Sequence, residues 1–246
     1  GLDGVTFSYD GTREVLKDVT MTFPRRGMTA IVGASGCGKS TVVNLFSGTL
    51  RPDSGTVRVG RAPLATITRE SYYSHLAVVS YNTYLFNETV RVNFRLANPN
   101  VTETAMFAAL EQVNLLEFIR ENGGLDKVLS EDAAKVSGGQ KQRLALAVNL
   151  VAEKDIYIFD EATSNIDIES EAIIMENIQA LSRRKSVIVI SHRLANVVPA
   201  DRIYYMEDGG VAECGTHEAL MAQGGGYAAL YRAQQALEAG YAEVKE

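Results

Sequence analysis

The sequence predicts an α/β fold: a mostly parallel sheet, an antiparallel β-layer near the N-terminus and a helical insert in the middle. Three observations predict it. Short, almost wholly apolar runs at 29–32, 156–159 and 187–190 read as strands buried on both faces. Segments with helical character at 39–46, 139–153 and 168–181 alternate with them, which is the pattern of parallel sheets. A glycine-rich loop joins the first buried strand to the first helix.

Taken in order, Val5, Phe7 and Tyr9 alternate with Thr6 and Ser8, a strand pattern ended by Asp10-Gly11. Val19, Met21 and Phe23 repeat it before the turn Pro24-Arg25-Arg26-Gly27. The buried strand 29–32 runs into the glycine loop, and the helix from about 39 to 46 stops near Gly48. Residues 56–59, between Gly55 and Gly60, and Ala77-Val78-Val79 read as further strands. From about 101 to 122 the set Ala105, Met106, Ala109, Leu110, Val113 and Leu116 predicts one helix, capped by Thr102 or Thr104 and ended by Gly123-Gly124. A helix at 139–153, a strand at 156–159, a helix at about 168–181 and a strand at 187–190 follow. The helical stretch from about 88 to 140 is an insert in this alternation.

Composition narrows the function classes. The chain has 246 residues, 46% hydrophobic and 22% charged, which suits one large domain with a substantial core. A net charge of −6 and a pI near 5.3 argue against a generic nucleic-acid or anionic-membrane binder, so no nucleic-acid partner is expected. The longest apolar stretch, 144–152, is nine residues and contains Asn149, against the ~20 that a spanning helix needs. Two cysteines exclude a disulfide framework and a zinc cluster, and a reducing compartment suits them. The chain opens on Gly1 with no basic-then-apolar leader, which reads as a trimmed chain or a domain of something longer.

The chemistry starts at Gly33-Ala34-Ser35-Gly36-Cys37-Gly38-Lys39-Ser40-Thr41, which fits the phosphate-binding pattern G-x-x-x-x-G-K-[ST] between a buried strand and a helix. Glycines let successive backbone N–H groups curl around phosphate oxygens, and the following helix points its positive end at the same anion. Lys39 can reach the β and γ phosphates, and the Ser40 hydroxyl can bind Mg²⁺. The apolar run 156–159 ends in Asp160 and Glu161. Asp160 suits a metal held through water, and Glu161 suits orienting or deprotonating an attacking water. Ser137-Gly138-Gly139-Gln140 opens the helix that follows, offering bare N–H groups and a hydroxyl to an anion.

Together these three elements strongly resemble the nucleotide-binding domain of ATP-binding cassette (ABC) transporters, and the resemblance covers nearly the whole chain. It implies a single P-loop NTPase domain over 1–246: a core with its β-subdomain at about 1–87 and 154–246, and a helical signature subdomain at about 88–153. It gives Tyr9 to adenine stacking, although a Tyr sharing a face with Val5 and Phe7 also suits a core. It makes Ser164-Asn165-Ile166-Asp167 the D-loop, with Asp167 at the aspartate position, and His192 the switch histidine at the γ-phosphate. Two positions depart: Tyr81 stands where a glutamine is usual, with Asn82 beside it, and Val136 stands for leucine. A phenol is a poorer Mg²⁺ ligand than an amide oxygen. Cys37, near Lys39 at a helix start, should be shielded from alkylation by bound nucleotide.

The resemblance also implies a mechanism and partners. ATP with Mg²⁺ would lie between two such domains arranged head to tail. Lys39, Ser40, Asp160, Glu161 and His192 come from one chain, and Ser137, Gly138 and Gly139 from the other, identical or paralogous. The exporter subfamily is closest, from Glu131, from 215–220 and from the helix after Gly226-Tyr227; on that helix, 226–239, Leu230 and Leu237 stand a heptad apart and read as a packing face, not a membrane anchor. That implies a membrane-spanning partner domain and a place on the cytoplasmic face of the cell membrane. Tyr72, Tyr73, Tyr81 and Tyr84 crowd the segment that would touch it, or else fill a β-rich core. A low-turnover nucleotide-gated module and a soluble non-transport ABC ATPase are the alternatives.

Overall fold

A computed structural model describes residues 1–80, 84–129, 136–164 and 166–243. β1 (Leu2–Ser8) and β2 (Glu14–Met21) pair antiparallel. β3 (Gly27–Gly33) belongs to a second sheet, and the glycine loop carries it into α1 (Lys39–Phe46). β4 (Ser54–Val59) returns antiparallel to β1 and pairs with the short β5 (Ala62–Pro63), giving a four-stranded sheet of order β2-β1-β4-β5. α2 (Arg69–His75) leads into β6 (Leu76–Ser80). Then come α3 (Val90–Ala97), α4 (Glu103–Gln112), α5 (Leu116–Glu121) and α6 (Gly138–Leu150), with α6 packed on α3 and α4. β7 (Ile156–Asp160), α7 (Ile168–Ser182), β8 (Ser186–Ile190), β9 (Arg202–Glu207), β10 (Gly210–Gly215), α8 (His217–Gln223) and α9 (Gly226–Glu243) complete the chain.

The second sheet has order β10-β9-β3-β8-β7-β6 and is parallel except for β10, which runs against β9. Its strands are apolar on both faces because both are covered. Met28, Ala30 and Val32 of β3 join one core with Phe94, Leu110 and Leu144 from the helices. Ile31 points the other way, into a core shared with Val5 and Leu16 of the antiparallel sheet and Val42 of α1.

Several boundaries differ from the sequence reading, each for a local reason. The predicted helix over 101–122 is two, α4 and α5, because Asn114 adopts a left-handed φ of 52°. Asn tolerates that conformation better than most residues, and the corner buries Val113 and Leu115 completely. Thr102 is its N-cap, accepting from Ala105 N. α6 stops at Leu150, and Glu153, with φ 53°, belongs to the turn into β7. β1 ends at Ser8 and β2 at Met21, which leaves Tyr9 and Phe23 outside the ladders. On α9 Leu230 packs on the core, but Leu237 is 65% exposed, so the two do not form one packing face.

Candidate functional site

Strand register assembles the site. Ile31 of β3 is level with Ile190 of β8, and Ile190 with Asp160 of β7. The three strands are parallel, so the loops beyond them, carrying Lys39, Glu161 and His192, emerge at one edge of the sheet. Ligands of open α/β sheets bind at that edge.

The glycine loop is shaped by close approach. A Cβ on Gly33 would lie 2.3 Å from the Met206 carbonyl oxygen of β9, and one on Gly38 2.6 Å from Leu16 Cδ2. Gly38 also has φ 106° as it opens α1, a conformation only glycine adopts freely. Ser35, Gly36 and Ser40 are exposed, whereas Cys37, Lys39 and Thr41 are buried. Lys39 Nζ donates to the Gly33 and Ala34 carbonyls, both at 2.9 Å, and lies 3.8 Å from Cys37 Sγ. Tyr9 is 62% exposed and so is not a core residue; its ring meets Phe7 edge-on and its hydroxyl lies 3.1 Å from Thr41 Oγ1.

Across the edge, His192 Nε2 donates to Glu161 Oε1 at 2.6 Å. Glu161 sits at φ 53°, rare for a residue with a side chain. It is held there by its N–H to the Ile190 carbonyl (3.0 Å), while Gln142 of α6 donates to the Ala162 carbonyl at 2.5 Å. Asp160 Oδ1 is buried without a hydrogen-bond partner among the described residues. Burial first, then the neighbouring Glu161 charge, pushes the Asp160 carboxyl above its ordinary range, against the opposing pull of Lys39 and His192.

That orphaned oxygen fits a cation. Mg²⁺ is commonly held by one or two protein oxygens together with phosphates and waters, and Ser40 and Asp160 supply that set. Among the described residues no group of three or more His, Cys, Asp or Glu could hold a metal alone, so the phosphates would have to complete the shell. The raised Asp160 also has a stability consequence. A carboxyl with a raised folded pKa favours the fold at low pH, and that advantage is lost as pH rises from its unfolded value through its folded value. Asp160→Asn should therefore raise the melting temperature at pH 7 and leave it unchanged near pH 3, while abolishing Mg²⁺-dependent nucleotide retention. Melting curves at both pH values check it.

The remaining predicted residues divide. Ser137 is the N-cap of α6 and closes a capping box with Gln140: Ser137 Oγ accepts from Gln140 N (3.2 Å), and Gln140 Oε1 accepts from Ser137 N (2.8 Å). Gly138 carries open space where a Cβ would stand, and Gly139 is half-buried behind it. Asp167 caps α7, accepting from Ser170 N at 2.9 Å, which holds its carboxyl below the usual range. Tyr72 is buried, its hydroxyl on the Phe46 carbonyl at 2.6 Å, whereas Tyr73 and Tyr84 are exposed. Tyr81, Asn82, Glu131 and Asn165 lie outside the described residues.

A group the sequence reading missed links these loops. Glu171 of α7, 3% exposed, accepts from Thr163 Oγ1 (2.7 Å) and Asn196 Nδ2 (2.8 Å) and pairs with Arg193. It thereby ties the segment after Glu161 to the segment after His192. The signal was present: Glu171 lies three and seven residues before Ile174 and Ile178, on the buried stripe of a helix. Gln234, seven and four residues after Tyr227 and Leu230 of α9, was missed in the same way.

Comparison with known proteins identifies relatives of the chain. Residues 16–164 match the ABC transporter family. An uncharacterized ABC transporter ATP-binding protein of Haemophilus influenzae is 43% identical over 232 residues, covering 94% of this chain and 41% of that protein. An ATP-dependent lipid A-core flippase of Haemophilus ducreyi is 38% identical over 235 residues, 94% of this chain and 40% of its own length. A beta-(1-->2)glucan export ATP-binding/permease protein of Bradyrhizobium diazoefficiens is 38% identical over 230 residues, 94% of this chain and 38% of its own. The solved structure of a bacterial Atm1-family ABC exporter with ATP bound superposes with a TM-score of 0.89 at 32% identity, over 95% of this chain and 41% of that one. The chain thus spans about two fifths of these relatives' length. No helix among the described residues is long and apolar enough to cross a membrane. With its phosphate loop, acidic strand end and serine-capped α6, the chain belongs to the ABC transporter family, as an ATP-binding domain of the exporter type.

Proposed function

We propose that this domain hydrolyses ATP and works as the motor of an exporter, paired head to tail with a second such domain on the cytoplasmic face of a membrane. One observation carries the hydrolytic reading: Glu161 and His192 hydrogen-bond at 2.6 Å beside Asp160, at the same sheet edge as Lys39. Glu161 holds the attacking water and draws its proton. His192 orients that carboxylate and faces the γ-phosphate, while Lys39 and the loop N–H groups carry the β and γ charge. Ser40 and Asp160 would hold Mg²⁺, which would supply positive charge against the phosphates.

The paired arrangement is supported by the way α6 begins. Its capping box takes up the Ser137 and Gln140 N–H groups and leaves those of Gly138 and Gly139, at an exposed helix start, for an anion presented from outside the chain. The membrane-spanning partner is supported by the exporters it resembles, of which the chain matches only part. Steady-state phosphate release with Mg²⁺ and ATP, measured across protein concentration, tests both. Specific activity should rise with concentration as pairs form. No Mg²⁺-dependent release at any concentration would refute hydrolysis, and a flat specific activity would refute the shared site.

A further inference from the structure

We infer that Gln234, on the C-terminal helix α9, is a positioning residue for His192, so that α9 is part of the frame of the catalytic centre. This rests on the hydrolytic reading above. Gln234 Oε1 accepts from Leu194 N at 2.8 Å, and its Nε2 donates to the His192 carbonyl at 2.9 Å. One amide therefore clamps the backbone on both sides of Arg193. Leu194 opens a 3₁₀ turn over Leu194–Val197, whose first N–H has no partner within the turn, and Gln234 satisfies it.

The clamp matters because of how His192 is otherwise held. Its ring is half exposed, with Glu161 as its hydrogen-bond partner, so the path of the backbone from 191 to 194 sets where the ring points. From the α7 side that segment is tied through the Arg193 side chain to Glu171, and Ser191 Oγ accepts from Arg193 N at 3.0 Å. From the α9 side it is tied by Gln234. The chemistry needs a donor and an acceptor on one side chain: a carboxylate at 234 would oppose the His192 carbonyl, and an ammonium could not accept from Leu194.

α9 can act as a fixed arm. Glu213 of β10 accepts from Gly226 N, and Tyr227 is fully buried with its hydroxyl 2.8 Å from His217 Nδ1. Gln234 stands seven residues on, two turns along and on the same side of the helix as Tyr227. The edge strand β10 and the segment carrying His192 are thereby joined through one helix.

The test uses the whole chain with Gln234→Leu, Gln234→Glu and, as control, Gln235→Leu on the exposed side. Amide exchange at Leu194 should quicken by about tenfold or more in Gln234→Leu, since one protecting hydrogen bond is gone. ATP turnover should fall by about tenfold with the ATP KM changed less than about twofold, because the loss is in orientation and not in binding. Gln234→Glu keeps the acceptor and loses the donor, so it should retain Leu194 protection yet lose turnover. It decides the matter if Gln234→Leu fails to fold. Gln235→Leu should match the parent. Unchanged exchange and turnover in Gln234→Leu, or a loss confined to KM, would overturn the inference. A parent chain that releases no phosphate would sink the hydrolytic reading instead, and Leu194 exchange would then still decide the clamp.

Discussion

Glu161→Gln is expected to lower ATP turnover by about 10²–10⁴-fold, the range supplied by a positioned general base, while leaving ATP binding intact. The substitution should be silent in the fold. What holds the φ of 53° at this residue is backbone bonding, from Glu161 N to the Ile190 carbonyl and from Gln142 to the carbonyls beyond, and none of it involves the carboxylate. Gln keeps the shape and can still face His192, but it cannot take a proton from water. The variant should accumulate as an ATP-bound pair, visible as a Mg²⁺- and ATP-dependent shift to twice the mass by light scattering. Turnover equal to the parent would remove Glu161 from the mechanism.

Glu171→Ala should produce the largest loss of stability, about 2–4 kcal/mol. At this chain length that lowers the melting temperature by roughly 5–15 °C. Its carboxylate is buried and gathers three donors from three places, Thr163, Arg193 and Asn196. Truncation leaves the threonine hydroxyl without its acceptor and the asparagine amide with only the long contact to Ser191 Oγ at 3.5 Å. Glu171→Gln, which keeps one acceptor oxygen, should recover about half of the loss. Thermal melts followed by circular dichroism decide it, and an Ala variant melting within a degree of the parent would show that the node is dispensable.

The fold was legible where residue type and periodicity coincide. Apolar runs at 29–32, 156–159 and 187–190 became β3, β7 and β8 because a strand covered on both faces has no polar alternation to hide. The break at Asn114 was not legible, since Val113 and Leu116 continue the helical pattern through it. Lys39, Asp160, Glu161 and His192 could be picked out by local pattern and resemblance, and their meeting at one edge follows from parallel register, which no single segment encodes. Glu171 and Gln234 escaped for the opposite reason. Each is a polar residue on an apolar helical stripe, a sign readable in the sequence but meaningless until the facing loop is known.

The hydrogen bonds of Lys39 carry a further consequence. Its ammonium rests on the Gly33 and Ala34 carbonyls, so the loop is closed upon its own cation. Ligand capture there is an exchange of oxygens around a fixed charge. A phosphate there would replace carbonyl oxygens that are already bonded, and only the difference between the two sets would appear as affinity. Such an internal competitor would temper the affinity of the loop for any anion that Lys39 binds.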